Sequence, residues 1–318
     1  MHADKELLER LDQKLQIIRD RVQSVAGGYS NGMVLWGEGG TSKSFTVLEV
    51  LKASGKPFML SNSRLTAKGL FELLRDYPDV VHVIEDAETL LGDKNAYEVL
   101  RSALWGQEGE DGLQERPVDW KIGGKREQVI FTGGVILVAN CRMDDNPKAR
   151  AIKTRIPCLQ FQPTNEEVAA LMRRIASQGH RHGQDFLSPE ECVEVAEDII
   201  ARSNRLQRNL DLRLLVNTFN DRLQWANGDS ETHWRDMLRS RMQERVVAPA
   251  GNYVPRSVQK ANELEIARRV ANLPRQERFA TWKKETGKSE SAMYRRLKEL
   301  GHESSHYSHF SQQRWTDN

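Results

Sequence analysis

The sequence predicts an α/β protein: a parallel five-stranded sheet with a helical lid subdomain and a small all-α C-terminal domain. Three observations carry this. Short, near-continuous apolar runs alternate with helical patterns through the first half of the chain, as in a parallel sheet covered on both faces. Strand signals stop at Thr164, and helical periodicity then dominates to about Val247. The breaker Ala248-Pro249-Ala250-Gly251 finally sets apart a basic helical stretch.

Taken in order, Leu8, Leu11, Leu15, Ile18 and Val22 recur at helical spacing between charges. They predict an amphipathic helix ended by Ala26-Gly27-Gly28, packed on the sheet domain or on a neighbouring subunit. Met33–Trp36, Pro57–Leu60, Val80–Ile84, Val135–Ala139 and Cys158–Phe161 read as the five strands, with helices at 44–52, 66–77 and 96–105. Thr164-Asn165-Glu166-Glu167 is a capping box, and Ser188-Pro189-Glu190-Glu191 places an N-cap, a proline and a glutamate where a helix starts. Between Trp105 and Gly133 the connection is long. Pro117–Ile122 and Gln128–Phe131 flank a Gly-Gly-Lys-Arg turn and read as a β-hairpin.

The chain has 318 residues, 29% of them charged, with a net charge of +2. No apolar run approaches the length of a membrane span, and the charged start Met1–Glu6 is unlike a secretory leader. Three widely spaced cysteines, Cys141, Cys158 and Cys192, suit reduced thiols and a cytoplasmic location. From Pro255 to Leu300 there are twelve Lys/Arg against six Asp/Glu, so a basic block follows a mildly acidic body. That block is where a nucleic acid would bind.

Residues 37 to 45 read Gly37-Glu38-Gly39-Gly40-Thr41-Ser42-Lys43-Ser44-Phe45, directly after the first strand. A glycine-rich turn between a strand and a helix can wrap phosphates with its backbone N–H groups. Lys43 would reach the β/γ-phosphates and Ser44 would ligate Mg²⁺, so ATP and Mg²⁺ are the expected ligands. Ser42 stands where the usual pattern has glycine, and its Cβ requires the local φ to stay negative. The third strand ends in Glu85-Asp86. In a sheet of this kind such acids face the metal and the attacking water. Glu85 would support Mg²⁺ and Asp86 would polarise the water, although the commoner order is Asp then Glu; Glu88 is a further candidate.

With Gly133–Asn140, a buried strand ending in an amide, the chain begins to resemble the AAA+ ATPase superfamily. In that family such an asparagine, here Asn140, helps position the lytic water. Ala151–Leu159 resembles the family's arginine finger and last core strand, with Arg155 matching best and Arg150 and Lys153 beside it. Leu210-Asp211-Leu212-Arg213 is similar to the second sensor, whose arginine, here Arg213, reaches the γ-phosphate from the lid. The resemblance covers about residues 29–225 and implies a ring or spiral homo-oligomer with ATP between subunits. The residue pattern sets boundaries at 1–28 for the N-terminal helix, 29–163 for the expected nucleotide-binding core and 164–247 for the expected lid. A linker at 248–255, a helix-turn-helix-like unit at 256–301 and a polar tail at 302–318 follow.

Some AAA+ proteins that handle DNA carry a hairpin before the sensor strand. The resemblance therefore makes Lys121, Lys125 and Arg126 phosphate contacts, with Trp120 as a stacking group or packed on its own sheet. Phe279–Gly301 resembles a helix-turn-helix. Its recognition helix would begin at Ser289 and present Ser291, Tyr294, Arg295 and Lys298, with Arg275, Arg278, Lys283, Lys284 and Arg296 on backbone phosphates. The function implied is a DNA-directed ATPase serving replication initiation or helicase loading, transposition, or phage- or plasmid-type processing, alongside another protein of such an assembly. Two alternatives are an ATP-switched transcriptional regulator and a protein-remodelling ATPase. For the latter, Lys68-Gly69-Leu70-Phe71 is the nearest approach to a pore loop, in reversed order and within a helical pattern.

Overall fold

The computed structural model describes residues 2–62, 65–108, 114–122, 125–140, 152, 154–242 and 256–301. The chain forms two compact units, Met1–Met172 with Arg208–Leu212, and Arg173–Gln207 with Arg213–Asn318. The division falls inside a helix, Asn165–Ala176, rather than at the strand-to-helix transition near residue 163. Among the described residues, no helix is long and apolar enough to cross a membrane.

The first unit opens with α1 (His2–Ala26), β1 (Gly32–Trp36), α2 (Lys43–Ser54), β2 (Phe58–Ser61), α3 (Ala67–Asp76) and β3 (Val81–Ile84). α4 (Glu88–Gly92), α5 (Lys94–Leu104), β4 (Gln107–Glu108), β5 (Gln114–Ile122) and β6 (Lys125–Phe131) follow, then β7 (Gly134–Ala139), β8 (Cys158–Gln160) and α6 (Asn165–Ala176). The five expected strands form one sheet in the order β2-β3-β7-β1-β8, and every pair in it is parallel. All residues of β1, β3 and β7 are buried, because helices cover both faces. One face packs Val34, Trp36, Ile84, Val135 and Leu137 against Leu70, Phe71 and Leu74 of α3 and Leu100 and Ala103 of α5. Leu70 and Phe71 are thus helical core residues, which removes them from any pore loop.

α1 buries Leu11, Leu15, Ile18, Val22 and Val25 and packs on α2, β1 and β7, so it belongs to the sheet-bearing unit itself. Lys14 fastens it further by an ion pair to Glu167 at 2.7 Å. The same Glu167 closes the expected capping box, accepting from Thr164 N at 2.8 Å while its own N–H donates to Thr164 Oγ1 at 3.2 Å.

The hairpin pairs β5 with β6 in antiparallel register from Arg116↔Phe131 to Ile122↔Lys125, and β4 adds a short third strand. Its root is fixed by Arg116, which is buried and donates to Ala103 O at 2.9 Å and to Gly133 O while lying 4.8 Å from the Phe131 ring centre. Burial pulls the Arg116 guanidinium down to about 10. It still stays charged at neutral pH because backbone carbonyls solvate it.

The second unit holds an antiparallel pair, β9 (His180–His182) and β10 (Asp185–Leu187), then α7 (Pro189–Leu206), α8 (Leu212–Ala226) and α9 (Trp234–Arg241). The expected Ser188 capping box is present in full at the start of α7. α10 (Arg256–Ala271), α11 (Arg275–Thr286) and α12 (Glu290–Glu299) complete it. Those three helices enclose Ala267, Val270, Trp282, Ala292, Met293 and Leu297. They rest on the preceding helices: Ser289 N donates to Ala226 O at 3.2 Å, Ser289 Oγ bonds Asn227 Oδ1 at 2.8 Å, and Lys283 pairs with Glu191 at 3.5 Å.

Candidate nucleotide-binding site

The site forms beyond the carboxyl ends of the strands, where open parallel sheets bind ligands. Trp36 of β1 is level with Ala139 of β7, and Ile84 of β3 with Leu137 of β7. Chain segments leaving these strands therefore emerge side by side. The glycine-rich loop leaves β1, Glu85-Asp86 leaves β3 and Asn140 leaves β7.

Gly37 lies so close to Phe161 that a Cβ there would collide with the Phe161 carbonyl. Gly40 takes φ 72°, and a Cβ on it would meet the Asp211 carboxylate. Ser42 corrects one expectation, since its φ is +72° and ψ 9°, a left-handed conformation in which a Cβ is strained. The backbone follows the glycine pattern although the side chain is not glycine. The loop is braced internally by Thr41 Oγ1, which donates to Glu38 O at 2.9 Å. α2 then begins at Lys43, so the N–H groups of its first turn lack intrahelical acceptors. Gly39 stands with Gly40 in the loop's turn, Ser44 is half-buried in the first turn of α2, and Phe45 is exposed.

Lys43 is only 4% exposed. Its ammonium donates to Gly37 O at 2.7 Å, Glu38 O at 2.5 Å and Asn140 Oδ1 at 3.4 Å. Asn140 Nδ2 in turn donates to Asp86 Oδ1 at 2.9 Å, and the Asn140 N–H donates to the Glu88 carboxylate. Asn140 thus joins the loop lysine to Asp86 and Glu88. Asp86 is exposed with φ 50°, and Glu85 is half-buried with its N–H on Ser61 O at 2.9 Å. Four polar groups named from sequence meet within one hydrogen-bonded chain.

Two residues in this region escaped sequence reading. Asn209 Nδ2 donates to Glu38 Oε2 at 2.6 Å, Asn165 Nδ2 to Asn209 Oδ1 at 3.4 Å, and Leu210 N to Asn165 Oδ1 at 3.0 Å. With Leu212 N on Gly40 O at 2.9 Å, segment 208–212 is tied to the loop. Glu38, Thr41, Gln162, Asn165, Asn209 and Leu210 help line a cavity of about 230 Å³. Asn165 and Asn209 are 44 residues apart, and no local pattern couples them. Arg213 follows Leu212 and is exposed in the first turn of α8.

Arg155 lies elsewhere. Its guanidinium carbon is 5.6 Å from the Trp105 ring centre. Trp105 follows Leu104, whose carbonyl accepts from Asn31 just before β1 starts. The glycine-rich loop begins after β1 ends, five residues further on, or about 16 Å along a strand. Arg155 therefore sits near the amino end of the sheet, away from its own chain's loop. Arg150 and Lys153 lie outside the described residues.

On the hairpin, Arg126 is exposed and makes a two-pronged pair with Asp119 at 3.0 and 2.7 Å, which holds the Asp119 carboxyl below its ordinary range. Trp120 stacks on Phe71 at 6.1 Å and 22°, so its ring serves its own core instead of a base. Lys121 is exposed, and Lys125 begins β6. In the three-helix region Ser289 caps α12 through Ala292 N at 3.3 Å. Ser291, Lys284 and Lys298 are exposed, Lys283 and Tyr294 are half-buried, and Arg295 binds Asn227 O and Asp229 at 2.9 Å each. Two expected phosphate contacts are corrected. Arg296 is buried against Glu263 at 2.8 Å, and Arg278 closes the end of α10 through Leu273 O and Ala271 O at 2.9 Å.

No family model matches the chain, and no curated protein does. Among solved structures, a RuvB mutant from Thermotoga maritima aligns with 92% of this chain and 88% of its own, at 14% identity and a TM-score of 0.46.

Proposed function

We propose that the protein is an AAA+-type ATPase that hydrolyses ATP between neighbouring copies of itself and acts on DNA. The observation that supports this most is the linkage of Lys43 through Asn140 to Asp86 and Glu88. Lys43 and the first-turn N–H groups of α2 hold the β- and γ-phosphates. Asp86, oriented by the Asn140 side chain, holds the attacking water and takes up its proton, with Glu88 accepting the Asn140 backbone N–H. Ser44, Glu85 and Asp86 offer the hard oxygen donors that suit Mg²⁺, which would draw charge from the phosphate oxygens. Arg155 faces away from its own loop, so in this reading it serves the site of the next copy. Arg213, at the start of α8, keeps the second-sensor role that the resemblance implies.

DNA contacts are proposed separately on each unit, at exposed Lys121 of the hairpin and at exposed Lys284 and Lys298 of α11 and α12, which are suited to phosphates. Lys125, Arg126, Ser291, Tyr294 and Arg295 remain secondary contacts in this proposal.

The test is ATP hydrolysis by the full chain, with and without single- or double-stranded DNA, across protein concentration. Turnover that rises with concentration and with DNA is expected. Lys43→Ala should lower nucleotide binding by about 100-fold or more. Arg155→Ala should leave binding intact and reduce kcat by about a thousandfold. Tight ATP binding without turnover under any condition would instead favour an ATP-gated switch. Normal turnover by Arg155→Ala would refute the finger.

A further inference from the structure

Arg155 is placed with unusual economy. Its backbone lies between two buried anchors, Ile152 at 0% and Ile156 at 3% exposure. The Arg155 and Ile156 N–H groups both donate to Ile152 O, at 2.9 and 3.1 Å. Its side chain has no carboxylate partner among the described residues, and Nη1 is shielded from solvent with no hydrogen-bond acceptor. What the guanidinium does have is the face of Trp105, within cation–π range at 5.6 Å.

Trp105 is well placed to act as a platform. The two carbonyls before it are fixed, Ala103 O by Arg116 at 2.9 Å and Leu104 O by Asn31 at 3.3 Å. The indole itself is 59% exposed, so it contributes little to the core. The chemistry also favours a ring over an acid. A carboxylate would orient the guanidinium but cancel the charge a triphosphate must feel. An aromatic face restricts the side chain and leaves that charge intact.

We propose that Trp105 is a positioning residue for Arg155, stacking its guanidinium so that it meets the γ-phosphate bound by the neighbouring copy. This rests on the reading of Arg155 as a finger acting between copies, and the experiment separates the two. Arg155→Ala chains keep a working loop without a finger, and Lys43→Ala chains keep a finger without a working loop. Each is inactive alone, and their mixture regains ATP hydrolysis if the finger acts between copies. Trp105→Ala added to the Lys43→Ala chain should lower the regained kcat by about 2- to 30-fold, the rate equivalent of a cation–π contact. KM should hold, and Trp105→Phe should restore most of the rate. Added to the Arg155→Ala chain, the same substitution should change nothing further. Equal loss from either chain would make Trp105 merely structural and overturn the proposal, as would no loss from the finger-donating chain. Failure of the starting mixture to regain activity would refute the finger reading itself.

Discussion

Lys43 and Arg296 are both nearly buried cations, and the partners around them differ in kind. Lys43 rests on two backbone carbonyls and the Asn140 amide oxygen. Arg296 rests on the carboxylates of Glu263 and Glu299, at 2.8 Å each. Phosphate oxygens can take the place of such neutral oxygens around Lys43. To leave its carboxylates, Arg296 would have to strand Glu263 in a buried site, so its charge is committed to the fold. The comparison teaches that a cation's partners, more than its presence in a basic stretch, decide whether it can serve a ligand.

The strongest way to break this comparison is to remove the committed carboxylate. Glu263 also pairs with Lys288 at 3.3 Å, and all three groups are under a tenth exposed. Glu263→Gln keeps the shape but removes the carboxylate that pairs with both Lys288 and Arg296, leaving Arg296 with Glu299. A loss of about 3–5 kcal/mol is expected in denaturant unfolding of this region. A loss below about 1 kcal/mol would mean that the cations are already available to a ligand.

Removing uncommitted cations should do the reverse. Lys284 and Lys298 are exposed and carry no ion pair among the described residues. The double Ala variant should fold normally, bind DNA about tenfold more weakly at 0.1 M salt, and lose about one unit of salt slope per lysine. Arg278→Gln, which unbinds the end of α10, should lower stability and leave that slope alone. If the two variants exchanged behaviours, the division between committed and free cations would fail.

The same distinction explains what was legible from sequence. All five strands, both capping boxes and the meeting of Lys43, Asp86 and Asn140 could be read in advance, because strand ends of a parallel sheet bring residues together through backbone register. Asp86 and Asn140 closely follow apolar runs, Lys43 follows the loop that leaves another, and the sheet does the rest. The roles of Arg278, Arg295 and Arg296 were not legible, because their partners are chosen by packing. Arg295 bonds to Asn227, 68 positions away, and Arg296 to Glu263, 33 positions away. Trp120 was undecided for the same reason, since Phe71 on α3 settles its place. The Glu38–Asn209–Asn165 chain left no sequence signal at all.

A smaller effect comes from the buried histidine of the central sheet. His82 on β3 bonds Tyr77 O through Nε2 at 2.8 Å, while Nδ1 has no partner. Burial holds its pKa below the ordinary 6.5. A depressed pKa means the unfolded chain takes up the proton first. The stability is therefore complete above about pH 6.5 and is lost as pH falls from there toward the folded-state pKa. Denaturation at pH 7.5 and 5.5 should show the loss, and His82→Leu should flatten it. A slope that survived in His82→Leu would belong to another group, with His233, also depressed by burial, the next to test.

The smallest expected effect lies in the phosphate loop, and it isolates backbone from side chain. Ser42 makes no capping hydrogen bond with its side chain, so its hydroxyl contributes nothing local to α2. Its Cβ is held at φ 72°, which costs about 1–2 kcal/mol. Glycine would remove that strain and give back about 0.5–1 kcal/mol through the greater freedom of the unfolded chain. Ser42→Gly should therefore stabilise the sheet-bearing unit by about 1 kcal/mol, whereas Ser42→Ala, keeping the Cβ, should be neutral. Parallel melting curves of the two variants check this directly. If Ser42→Ala destabilised as much as Ser42→Gly stabilised, the hydroxyl would be holding the loop in its ligand-ready shape, and the serine would be a functional choice instead of a tolerated strain.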